Sequence, residues 1–214
     1  MIVYGSSVSP FVRKVRAFAA EKGLELRLAP PQEDPEGFRE ASPFGKIPAF
    51  RDGDFLISDS SAIVAYLDAK FPEDPLIPAD PRDRARAIWF DEYADTIVQE
   101  AVAKVFYHRV AAPLFYGKPG KPEVADQVER EVFPRLAAYL ERSVTDSGFL
   151  VAGQLTLADI AVASAFASLA EGDCRPDPAR YPRAAAWLAA MWARPVFAAL
   201  LAEEEALLAS MAPR

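Results

Sequence analysis

The sequence predicts an α/β domain followed by an all-α domain, and three observations carry that expectation. Strand-like and helix-like segments alternate up to about residue 80. A proline-dense stretch, Phe71-Pro-Glu-Asp-Pro-Leu-Ile-Pro-Ala-Asp-Pro81, then interrupts all periodicity. Every periodic segment beyond it has helical spacing. The expected limits are residues 1–78 for the α/β half, 79–84 for the linker and 85–214 for the helical half. A chain of 214 residues can bury a core in each half.

Ile2, Val3 and Tyr4 open the chain as a strand, and residues 25–28, 49–50 and 55–57 read as three more. Arg51-Asp52-Gly53-Asp54 carries the turn chemistry that joins the last two as a hairpin. Between the first two strands Phe11, Val12, Val15, Phe18 and Ala19 share one helical face, and Gly23 stops that helix. Residues 34–40 suit a short irregular helix. Ile63, Val64, Leu67 and Phe71 mark a further one that ends before Pro72. The order β-α-β-α-β-β-α calls for a small mixed sheet.

In the helical half a long helix is expected from residue 84 to about 110. The loop Gly117-Lys-Pro-Gly-Lys-Pro122 follows, then a second long helix over 123–142. Shorter helices are expected over about 156–171, 181–193 and 195–209. Thr156 and Asp159 have capping-box spacing, and Leu155 and Ile160 sit where a hydrophobic staple would clamp the chain entry. That structural role accounts for Asp159 without making it a catalytic acid.

Composition narrows the function. Hydrophobic residues make up 51% and charged residues 26% of the chain, which is globular rather than disordered. The net charge of −7 repels phosphate backbones and argues against a nucleic-acid partner. With Cys174 the sole cysteine, an internal disulfide and an all-cysteine metal site are excluded. His108, the sole histidine, has no visible partner for zinc ligation or Ser-His chemistry, so no metal is expected. A basic segment followed by an apolar run is missing at the start, and apolar stretches such as 160–169 carry polar breaks. The expected location is cytoplasmic, with no membrane partner.

Three short stretches carry chemistry. Ser9-Pro10 lies between the first strand and the first helix, where unpaired N–H groups and the macrodipole favour a negative charge. The Ser9 hydroxyl can donate a hydrogen bond to a bound thiolate, or it can simply cap the helix. Lys46-Ile47-Pro48 brings a strand in behind a proline. Were the Ile47–Pro48 bond cis, the Ile47 backbone would face solvent and could pair with an extended peptide, whereas trans is the usual state of X-Pro bonds. Asp59-Ser60 opens another helix, where it can cap the first turn or hold the carboxylate and ammonium of an amino-acid group.

Ser9-Pro-Phe-Val-Arg-Lys-Val-Arg, Gly45-Lys-Ile-Pro-Ala-Phe, Asp59-Ser60-Ser-Ala-Ile-Val-Ala-Tyr-Leu67 and Leu155-Thr-Leu-Ala-Asp-Ile160 together resemble the ordered signatures of the cytosolic glutathione S-transferases. The similarity covers essentially the whole chain. It implies a thioredoxin-like N-terminal domain, an all-helical C-terminal domain, a homodimer, and glutathione as co-substrate. By the same resemblance Ser9 stabilises the glutathione thiolate and Ile47, ahead of a cis Pro48, pairs with the cysteinyl unit. Asp59 and Ser60 hold the γ-glutamyl end, and Lys46 meets the glycyl carboxylate. The activity implied is conjugation of glutathione to a small apolar electrophile in detoxification. Phe11, Val12, Phe106, Tyr107, Arg109, Val110 and Phe115 are candidates for the electrophile pocket.

Departures leave alternatives open. Ser6 and Ser7 share the Ser9 turn. Tyr4 lies on the first strand, near which the tyrosine-type classes carry their activating tyrosine, but burial in the strand explains it more simply. No cysteine stands at position 9, which disfavours mixed-disulfide chemistry, and the Ser-Ser-Cys motif of the maleylacetoacetate isomerase class is absent. A glutathione-dependent peroxidase, dehalogenase or isomerase, or a non-catalytic binding protein, remain the other readings of the same fold.

Overall fold

The computed structural model describes residues 1–211. Its N-terminal half runs β1 (Ile2–Tyr4), α1 (Pro10–Glu21), β2 (Arg27–Ala29), α2 (Pro35–Ala41), β3 (Ala49–Asp52), β4 (Phe55–Ser58) and α3 (Ser60–Lys70). The strands form one sheet in the order β2-β1-β3-β4. β1 runs parallel to β2 and antiparallel to β3, with Val3 opposite Phe50 and Tyr4 opposite Ala49. β3 and β4 form the expected hairpin, where Gly53 adopts a φ of +63° that its missing Cβ permits.

Alternation decides what each sheet face meets. Val3 and Phe50 point into the main core with Val15 and Phe18 of α1 and Ile63, Val64 and Leu67 of α3. Tyr4, Ala29 and Ala49 point the other way, onto Ala41 and Phe38 of α2. Tyr4 is fully buried there, and its hydroxyl donates to Asp34 Oδ2 at 2.8 Å.

The helical half starts at Pro81, inside the stretch expected to be linker, because Asp80 caps the Arg82 and Asp83 N–H groups and proline is well suited to the first helical turn. The long helix is a rod with two wide π-helical turns: α4 (Pro81–Glu92), a turn at Tyr93–Val98, α5 (Gln99–Phe106), a turn at Tyr107–Ala111, and α6 (Ala112–Tyr116). It outruns the expected end at 110 and stops where Gly117 turns left-handed, at φ +58°. The second long helix is in fact two, α7 (Pro122–Glu131) and α8 (Phe133–Ser143), broken at Val132. Pro134 has no N–H to continue the ladder across that point. α9 (Leu157–Glu171), α10 (Pro182–Trp192) and α11 (Pro195–Met211) complete the chain.

α9 is buried from Leu157 through Ala170, as a helix apolar on every side must be. Its start is fixed by the capping box, and Asp159 is the hub: Oδ1 accepts from the Leu150 N–H at 2.9 Å, and Oδ2 from the Thr156 N–H at 2.9 Å and the Thr156 hydroxyl at 3.1 Å. α1 lies against α9 and α11, so one continuous core joins the two halves. Among the described residues no single helix is long and apolar enough to cross a membrane.

Candidate functional site

The end of β1 feeds a tight turn into α1. Gly5 N–H bonds Ala29 O at 3.0 Å, Ser9 N–H bonds Ser6 O at 3.1 Å, and Arg13 N–H closes the first helical turn on Ser9 O at 2.9 Å. Gly5 is required here, because a Cβ would stand 2.4 Å from Val12 Cγ2 and 3.6 Å from Ile47 Cβ. The β1–α1 turn and the Ile47 segment are therefore in close contact.

Ser9 occupies the N-cap position of α1 with extended backbone angles and Pro10 behind it, yet its side chain makes no capping bond. The half-buried hydroxyl is thus spared by the helix whose N-terminus it crowns. Ser6 is half-buried and Ser7 is buried. A cleft of about 390 Å³ adjoins this turn, walled by Gly5, Ser6, Ser7, Pro31, Ile47 and Leu207.

The Ile47–Pro48 bond is cis. Ser42 braces the approach to it, its Oγ donating to Lys46 O at 2.7 Å and accepting from the Lys46 N–H at 2.8 Å. Among the described residues the Ile47 N–H and C=O have no hydrogen-bond partner. The Lys46 side chain is exposed.

Pro48 O accepts from the Asp59 N–H at 3.3 Å, which ties this segment to the start of α3. Asp59 adopts a φ of +88°, and its Oδ1 caps the Ala62 N–H at 3.0 Å. Ser60 is buried, and its hydroxyl donates to Asp95 Oδ2 at 3.2 Å. Asp95 belongs to the first π-helical turn, where burial raises its carboxyl above the ordinary range against the pull of Lys14. Lys14 Nζ, wholly buried, bridges Asp91 at 2.7 Å and Asp95 at 2.5 Å.

Arg13 makes a second buried cluster. Its guanidinium reaches Glu204 of α11, through Nε at 2.9 and 3.0 Å and through Nη2 as well, and Glu171 of α9 at 3.0 Å. Nη1 donates to the Ser164 carbonyl at 2.6 Å and the Ser168 hydroxyl at 3.1 Å. Two carboxylates share one cation, and burial, with Glu204 adjacent, pushes the Glu171 carboxyl up to about 8. The apolar stripe of α1 includes neither Arg13 nor Lys14, so sequence reasoning leaves both out of the site's support. Their signal is remote: Glu171 closes a run of apolar and small residues, and Glu204 is the middle of Glu203-Glu204-Glu205 in an otherwise apolar stretch.

The residues expected around an electrophile are dispersed. Val12 is fully buried beneath Gly5 and Val110 is buried; Phe11 and Phe106 are half-buried, and Tyr107 is exposed. None of the five walls the cleft, whose apolar side comes from Leu28 of β2, Pro30 and Pro31 of the β2–α2 connection and Leu207 of α11. Arg109 is engaged by Asp126, Glu129 and the Gly172 carbonyl, and His108 accepts from the Lys121 N–H at 3.3 Å. Burial pushes the Cys174 thiol up to about 12, so it is no nucleophile. Among the described residues no cluster of three His, Cys, Asp or Glu side chains is placed to hold a metal ion.

A four-stranded mixed sheet with helices leads into an all-helical second domain, and the β1–α1 turn and Ile47 wall one cleft, the two-domain fold that the glutathione S-transferase resemblance implies. Residues 3–75 match the family model of the glutathione S-transferase N-terminal domain, and residues 104–204 that of the C-terminal domain. A wheat glutathione S-transferase is 30% identical over 166 residues, covering 76% of this chain and 75% of that protein. Mouse glutathione S-transferase theta-3 is 26% identical over 191 residues, with 86% and 79% covered. Human glutathione S-transferase T1-1 in its apo form superposes with a TM-score of 0.82 at 24% identity, over 98% of this chain and 90% of that one. The chain belongs to the glutathione S-transferase family and is a transferase that uses glutathione.

Proposed function

We propose that the protein conjugates glutathione to small apolar electrophiles, with the Ser9 hydroxyl as the donor that holds the glutathione thiolate. The observation that carries this reading is the free Ser9 side chain at the N-terminus of α1. A thiol titrates near about 8.5, and only its thiolate attacks well. A hydroxyl donor together with the positive end of a helix stabilises the thiolate and so lowers that pKa. Ser9 donates a hydrogen bond and forms no covalent bond.

The same geometry supports the remaining glutathione positions. The Ile47 N–H and C=O are available for strand-like pairing with the cysteinyl unit. Asp59 keeps one carboxylate oxygen for the γ-glutamyl ammonium, and the α3 N-terminus at Ser60 suits the adjacent carboxylate. The exposed Lys46 suits the glycyl carboxylate. The apolar walls at Pro30, Pro31 and Leu207 suit an apolar second substrate. Exposed Phe55 on the edge strand β4 and Ile88 and Trp89 on α4 favour a homodimer. A detoxifying role in the cytoplasm is in keeping with these properties.

Single alanine variants of Ser6, Ser7 and Ser9 test the assignment. A charge-assisted hydrogen bond contributes about 1.5–3 kcal/mol, so Ser9→Ala is expected to lower kcat/KM for an aryl halide by roughly 10- to 100-fold. Glutathione retention on an affinity resin should persist, and the ultraviolet absorbance of bound thiolate should titrate at higher pH. Unchanged turnover in Ser9→Ala, with the loss appearing in Ser6→Ala or Ser7→Ala, moves the role to that residue.

A further inference from the structure

A second cavity, about 450 Å³ in volume, opens in the helical half between the end of α9, the connection to α10, and α11. Its floor is apolar, made by Ala167, Ala170, Leu201 and Leu208. Trp192 forms one wall, and its indole N–H donates to the Ala163 carbonyl at 3.1 Å, which fixes the ring. None of these residues walls the cleft at Ser6 and Ile47.

The polar lining is lopsided. Glu171, Asp173 and Glu205 contribute carboxyl groups against a single cation, Arg175. The Arg175 guanidinium lies over the Trp192 ring, 5.9 Å from its centroid. Asp173 and Glu205 are exposed, and among the described residues neither forms an ion pair with Arg175. The chain's own side chain therefore shows where a cation rests on this ring, while two carboxylates at the mouth stay free.

We propose that this cavity is a second, non-catalytic site that takes a primary amine bearing a short aromatic or aliphatic body. The ammonium takes the Arg175 position over Trp192, within reach of Asp173 and Glu205, and the hydrocarbon lies on Leu201, Leu208 and the two alanines. The volume falls in the range of small-molecule sites, about 300–1,000 Å³. With Glu171 turned to Arg13, the two rim carboxylates against Arg175 leave one negative charge, which a monocation neutralises and a carboxylate ligand would double. Glu171 faces Arg13 from α1, Glu204 from α11 and Arg175 from the connection. An arriving ammonium favours its ionised form, so binding near neutral pH should release a proton.

Calorimetric titration of the full chain with 2-phenylethylammonium, and with the isosteric 3-phenylpropanoate, tests the site. The amine is expected to bind once per chain with a Kd of about 1 mM or tighter. The propanoate should bind at least about tenfold more weakly. Saturating glutathione should leave the amine affinity unchanged, since the two sites share no residue. Heats measured in buffers of different ionisation enthalpy should report proton release at pH 7. Trp192→Leu and Glu205→Gln should each weaken the amine at least about threefold. Should Trp192→Leu fail to fold, Asp173→Asn, at an exposed position, takes its place. Lack of saturable binding, equal binding of both probes, or displacement of the amine by glutathione overturns the proposal. None of these results depends on which hydroxyl activates glutathione.

Discussion

Replacing Arg13 by Met should be far more damaging than replacing its neighbour Arg16, although both residues tie α1 to α11. Arg13 is wholly buried, and its partners Glu204 and Glu171 keep only 2% and 14% of their side-chain surface exposed. Removing the cation strands two buried carboxyl groups and a backbone carbonyl, a change that costs about 3–5 kcal/mol. For a chain of this size that corresponds to a fall in Tm of roughly 6–20 °C. Arg16 bonds Glu203 at 2.7 and 3.0 Å, a better geometry on paper, but the two are 16% and 46% exposed. An exposed pair contributes about 0–1 kcal/mol, so Arg16→Met should lower Tm by no more than about 4 °C. The Arg13→Met deficit should also shrink on acidification from pH 8 to pH 5, because protonation discharges the stranded carboxylates. Thermal melts of both variants at the two pH values provide the measurement. If the variants lie within about 1 kcal/mol of each other, or the Arg13→Met deficit ignores pH, burial is not what gives this cluster its weight.

Other expectations follow from single sites. Asp159→Ala leaves the Leu150 and Thr156 N–H groups unpaired in the interior, about 1–3 kcal/mol each. Burial raises the Asp159 carboxyl to about 6, which offsets part of that loss, so denaturant unfolding should show a net decrease of about 2–4 kcal/mol. The folded state holds a proton on Glu171 more tightly than the unfolded chain, with the carboxyl raised from 4.5 to about 8. Its contribution is complete below pH 4.5 and is lost as pH rises through 8, so Tm should decline across that window and Glu171→Gln should flatten the decline. Gly5→Ala drives a methyl group against Val12 Cγ2, and melts with glutathione-affinity measurements should show about 1–3 kcal/mol of destabilisation together with weaker retention.

Much of the fold is legible locally. The succession of elements and the hairpin follow from Ile2-Val3-Tyr4, the turn at Gly53 and the apolar pairs flanking it, with strand ends displaced by up to two residues. The break at Val132 is hidden in the sequence because proline is tolerated in a helical first turn, so Pro134 alone does not announce a new helix. At Ser9 the propensity for capping points one way and the geometry another, since the hydroxyl leaves the helix N–H groups alone. The cleft walls are the least legible part. Leu207 meets Ser6 only because α11 folds back onto α1 through Glu203 and Glu204, a contact between residues 191 positions apart in the case of Arg13 and Glu204. Burial of two adjacent cations is likewise invisible in a helix whose apolar face is already accounted for.

Those two cations have a bearing on how such chains are recombined. Arg13 and Lys14 sit in the α/β half, but the acids that neutralise them, Asp91, Asp95, Glu171 and Glu204, all belong to the helical half. An excised N-terminal domain would expose two neighbouring charges shaped for an interior. A chimera with a foreign helical domain would need carboxylates supplied at four matching positions before α1 could seat. The halves look like separable modules along the chain, yet they are inherited as a unit, because the charge balance of the first helix is written more than seventy residues downstream.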